Sequence, residues 1–99
     1  MPLLHIALQE GFENDSVEMR INGAEVFNKP QVSTRRQIGF ADSFETNVGG
    51  GAIKVTLDLP HRAISASRVL QVNAPTYVGA SVTPEGLQFD ISQEPFGYL

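Results

Sequence analysis

Apolar and polar residues alternate with period 2 along most of this chain, and no stretch sustains the 3.6-residue period of an amphipathic helix. Leu4, Ile6 and Leu8 alternate near the start, and Val17, Met19 and Ile21 follow. Ile53, Val55, Leu57 and Leu59 alternate with Lys54, Thr56 and Asp58. Phe40, Phe44 and Val48 share one parity of residues 37–48. Val78, Ala80 and Val82 then precede Leu87, Phe89 and Ile91. Each such strand has one face to bury.

Turn residues punctuate the pattern at Glu13-Asn-Asp-Ser16, Asn22-Gly23, Lys29-Pro30, Gly49-Gly-Gly51, Pro60-His61, Ala74-Pro75 and Pro84-Glu-Gly86. They recur mostly every 7–15 residues and mark about seven or eight strands. The spacings are too short for crossover helices, so the pairing should be mainly antiparallel. One-faced sheets must pack on each other or close on themselves. The expected fold is therefore an all-β antiparallel β-sandwich, immunoglobulin-like or prealbumin-like, in a single domain over residues 1–99.

Asn22-Gly23 is the sharpest local signal, because both residues of a type I′ hairpin turn need positive φ. The turn sets Ile21 opposite Ala24, Arg20 opposite Glu25 and Met19 opposite Val26. Met19, Ile21, Ala24 and Val26 then face inward, and Phe27 shares the outer face with Arg20 and Glu25. A place beneath the loop at 29–34 is equally open to Phe27 and is the preferred one. Thr83-Pro-Glu-Gly86 reads as a second hairpin. Residues 62–72 read as a strand, since Val69, Val72 and two serines outweigh the helical spacing of Ala63, Ala66 and Leu70. Their shift toward Leu70-Gln-Val72 points to a bulge.

Val17-Glu-Met-Arg-Ile-Asn-Gly-Ala-Glu-Val26, followed by Gly49-Gly-Gly-Ala-Ile-Lys-Val-Thr-Leu57, resembles small prealbumin-like or PEGA-type β-sandwich modules over residues 17–59. Those modules often run V-x-V-x-[ND]-G-x-x-V and then pass a glycine turn into an alternating strand. The resemblance implies a domain that binds or connects rather than one that catalyses. The immunoglobulin-like alternative rests on size; without Cys or Trp the chain lacks the core hallmarks of true immunoglobulin domains.

Composition narrows the function classes. Eleven acidic residues against seven basic ones give the 99-residue chain a net charge of −4. No basic face is available for nucleic acid, and Arg35-Arg36 is the sole adjacent basic pair. The absence of cysteine excludes disulfides and thiolate metal sites. No apolar run approaches the roughly 20 residues of a membrane span. The apolar start Met1-Pro-Leu-Leu-His-Ile-Ala-Leu8 lacks a basic region, so it does not read as a signal peptide, and a cytoplasmic location is expected.

Candidate chemistry is sparse. His5 lies in the first strand, while His61, Asp58, Ser65 and Ser67 form a Ser/His/Asp set on paper. No G-x-S-x-G elbow accompanies them, so no enzyme is expected and a hydrolase is the least favoured reading. Residues 10–16 crowd oxygen donors without EF-hand spacing, and turn chemistry accounts for them better than calcium does. Asn14-Asp15-Ser16 matches a glycosylation sequon, read as a chance match without a secretory signal. No cofactor is expected.

The end of the chain, Gln93-Glu-Pro-Phe-Gly-Tyr-Leu99, is unusually apolar. It should either fold back to plug the open end of the sandwich or offer an apolar patch. The candidate interaction surface is thus Phe27, Phe96, Tyr98 and Leu99. The expected function is a noncatalytic interaction or structural module that binds a protein partner or self-associates, for instance as a homodimer. A small-molecule or carbohydrate-binding domain is the alternative; with no Trp and only Tyr77 and Tyr98, aromatic platforms for sugars are few.

Overall fold

The computed structural model describes residues 1–96. The strands are β1 (Leu3–Leu8), β2 (Asp15–Ile21), β3 (Ala24–Val32), β4 (Asp42–Asn47), β5 (Gly51–Leu59), β6 (Ile64–Val72), β7 (Thr76–Thr83) and β8 (Gly86–Ser92). A 3-10 turn at Pro60–Arg62 joins β5 to β6. Two four-stranded sheets result, ordered β4-β1-β7-β8 and β3-β2-β5-β6. Pairing is antiparallel except between β1 and β7, where Leu4 lies opposite Thr76 and Leu8 opposite Ala80.

The inner faces come from the alternating positions. Leu4, Ile6, Leu8, Val17, Met19, Leu57 and Leu59 are fully buried, with Val55, Val72 and Val78 beside them. Removing each such side chain from water contributes roughly 1.5–3 kcal/mol. Phe12, 1 % exposed, joins the same core from the loop after β1. Its backbone N–H donates to Thr34 Oγ1 at 3.0 Å, while Thr34 N–H donates to the Phe12 carbonyl at 2.9 Å. Phe12 thus enters the core from a loop rather than from a strand.

Side-chain contacts also bridge the edges of the two sheets. Between β3 and β4, the Phe27 and Phe44 rings meet edge to face at 6.3 Å, and Lys29 Nζ lies 2.9 Å from Asp42 Oδ2. Between β6 and β8, the Arg68 guanidinium sits 5.7 Å from the Phe89 ring centroid.

Three expectations need correction. The hairpin keeps Ile21 opposite Ala24 and Arg20 opposite Glu25, but then slips so that Met19 faces Phe27. Val26 is the extra residue of a bulge. The slip turns Phe27 into the core at 8 % exposure, so it belongs neither to the outer face nor to an exposed interaction surface. Ala24 is exposed, like Asn22, Gly23 and Glu25 around it at the hairpin tip, and does not face the core. Residues 37–48 form a strand only from Asp42; before it, Arg35 and Phe40 close a turn through an isolated bridge. Finally, β5 and β6 pair without a break from Leu59 opposite Ile64 to Gly51 opposite Val72, so no bulge interrupts residues 62–72.

Candidate functional site

β1 is an interior strand of its sheet, and strand periodicity turns His5 to the outer face. The two pairings place Glu45 of β4 and Tyr77 of β7 directly across from it. His5 Nδ1 lies 2.8 Å from Glu45 Oε2, and the His5 and Tyr77 rings are 5.6 Å apart, tilted by 46°. The Glu45 side chain is 54 % exposed, that of His5 only 20 %.

The chain after β8 turns back toward this face, with Glu94 N–H donating to Ser92 Oγ at 3.0 Å. Pro95 and the half-buried Phe96 thereby wall a cleft of about 390 Å³ whose other sides are His5, Ser43, Glu45, Tyr77 and Phe40. Phe96 thus lines a cleft on the outer face of a sheet. Tyr98 and Leu99 lie outside the described residues.

A larger cleft of about 830 Å³ runs between residues 10–14 and 33–36. Its polar groups largely tie the two loops together: Ser33 Oγ accepts from Asn14 N–H, and Thr34 Oγ1 donates to the Gln9 carbonyl. Arg36 reaches only to 3.7 Å from Glu13, with both side chains largely solvated. The smaller cleft is the better candidate, because titratable and aromatic side chains from separate strands converge on it.

The remaining candidates stay apart. Asp58 Oδ2 accepts from Arg20 Nη1 at 2.6 Å, Ser67 Oγ lies 2.9 Å from Thr56 Oγ1, and His61 is exposed on the 3-10 turn. Asp15, in the loop region considered for calcium, spends both oxygens on Arg62. Among the described residues no group of three or more His, Cys, Asp or Glu is placed to hold a metal ion. No helix there is long and apolar enough to cross a membrane.

The edges of the sheets differ. β3 is bulged twice and carries Lys29, Pro30 and Gln31 at φ 58. β4 is short and bears Asp42 and Glu45; β6 presents Arg68. β8 has no Pro, Lys or Arg, and it runs in unbroken register with β7 from Gly86 opposite Thr83 to Ser92 opposite Tyr77.

No protein-family model matches this chain, and neither does any curated protein or solved structure.

Proposed function

We propose that this protein is a noncatalytic interaction module of prealbumin-like type that self-associates by adding the β8 edge of one copy to the β8 edge of a second. The carrying observation is Ile91. It lies opposite Val78 on the inward parity of β8, yet it is 46 % exposed, whereas Val78 is 1 % exposed. An inward apolar side chain left open at an edge without Pro, Lys or Arg, where Asp90 is the single charge, is what strand addition completes.

Hairpin geometry supports a defined register. The two-residue turn closes with Thr83 opposite Gly86. Alternation then turns the backbone groups of Leu87, Phe89 and Ile91 away from β7, free to pair. A two-fold axis through Phe89 sets Leu87 opposite the second copy's Ile91, and Gln88 opposite its Asp90, so no like charges are directly opposed. Strand order supports the prealbumin-like over the immunoglobulin-like type. Immunoglobulin sheets keep the first two strands together, whereas here β1 and β2 lie in different sheets.

Light scattering or sedimentation over a range of concentrations tests the reading. The native chain should reach twice its monomer mass. Ile91→Pro removes an outward N–H that β7 does not use, so it should give a folded monomer at the same concentrations. A native chain that stays monomeric at every concentration overturns the proposal.

A further inference from the structure

We propose that the cleft beneath Phe96 binds a small, free quaternary ammonium compound. Three aromatic side chains, Phe40, Tyr77 and Phe96, line one space of about 390 Å³ together with the Glu45 carboxylate. Aromatic faces carry the negative lobe of the ring quadrupole and attract a cation held within about 6 Å. A permethylated ammonium cannot donate hydrogen bonds, so aromatic walls satisfy it where they would strip an ordinary ammonium of its water. The volume falls within the roughly 300–1,000 Å³ of small-ligand sites.

The charge is matched in the same direction. Glu45 is the carboxylate of the cleft; among the described residues no Lys or Arg lines it, and His5 is its one basic neighbour. The contact from His5 Nδ1 at 2.8 Å fixes one carboxylate oxygen, while the side chain remains 54 % exposed and open to a ligand. An anionic ligand would meet the carboxylate unfavourably, whereas a cation is attracted to it. This site is separate from the β8 edge, so its test stands apart from that of self-association.

Calorimetric titration of the full chain with choline chloride tests the assignment, with potassium chloride as the ionic-strength control. Saturable binding is expected with a dissociation constant on the order of 1 mM. The uncharged isostere of choline, with carbon in place of nitrogen, should bind about tenfold more weakly or worse. Glu45→Gln, at an exposed edge position, should weaken choline binding by about tenfold with an unchanged melting temperature. Tyr77→Phe keeps the ring and should bind as the native chain does. Equal binding of choline and its isostere, or no loss in Glu45→Gln, overturns the proposal. So does binding to phosphatidylcholine vesicles without any response to free choline.

Discussion

Gly11→Ala is expected to destabilise the protein by about 3–5 kcal/mol, the sum of backbone strain and overpacking. The chain leaving β1 continues alongside β7, with Gln9 N–H donating to the Ala80 carbonyl at 2.7 Å and Val82 N–H to the Glu10 carbonyl at 2.8 Å. Gly11 then turns away at φ 88, and a Cβ there would overlap the Val82 carbonyl oxygen. That oxygen belongs to the backbone of a paired strand and cannot move aside. Relief would require loosening the end of the β1–β7 ladder and withdrawing Phe12 from the core. Gly23→Ala provides the control. Its φ is 86, but nothing lies within 4 Å of the added Cβ, so it should cost only about 1 kcal/mol of strain. Urea denaturation of both variants checks this: equal midpoints would show that the overlap at Gly11 is relieved without cost. A loss of 3–5 kcal/mol consumes much of the roughly 5–15 kcal/mol that holds a domain together.

The sequence announces what depends on local periodicity. Ile53, Val55, Leu57 and Leu59 all face the core because β5 lies inside its sheet, where parity alone decides burial. The position of Phe27 is not legible in the sequence because turn chemistry fixes register only near Asn22-Gly23. A few residues further on, burying a phenyl ring against Phe44 of another sheet outweighs continuing the ladder, and the bulge follows. Phe12 gives no sequence signal for a related reason. It is one apolar residue among turn formers, and only the fold shows that its loop crosses the end of the core.

The candidate cleft was less legible still. His5, Glu45 and Tyr77 come from β1, β4 and β7, which meet because β1 pairs antiparallel with β4 on one side and parallel with β7 on the other. No spacing rule connects those positions along the chain. The apolar C-terminal segment did signal itself by composition, but composition could not say that Phe96 lies against a sheet face. The exposure of Ile91 has the same character: periodicity assigns its parity, and only the assembled sheets reveal that its inward side is incomplete.

The second large effect concerns the ion pair between Asp15 and Arg62. Asp15 opens β2 at 4 % exposure. Arg62 Nε donates to its Oδ1 at 2.7 Å and Nη2 to its Oδ2 at 2.8 Å, while Glu13 N–H also donates to Oδ2 at 2.8 Å. Burial pushes the carboxyl upward, but the Arg62 hydrogen bonds, the Glu13 N–H and the charges of Arg62 and His61 together hold it below its ordinary value. Its stabilising contribution is therefore complete above the unfolded value, about pH 4, and is lost as pH falls through the lower folded value. Arg62→Met should cost about 3 kcal/mol at neutral pH, because it strands a buried carboxylate. Asp15→Asn should cost less, since the Arg62 side chain, already 33 % exposed, can turn to water. Without Arg62, burial raises the Asp15 carboxyl instead, and protonation relieves the variant where it weakens the native protein. The stability gap between native and Arg62→Met should thus narrow on acidification through pH 4, which denaturant midpoints across that range measure directly. A gap that stays constant would mean that the pair contributes through packing rather than through charge.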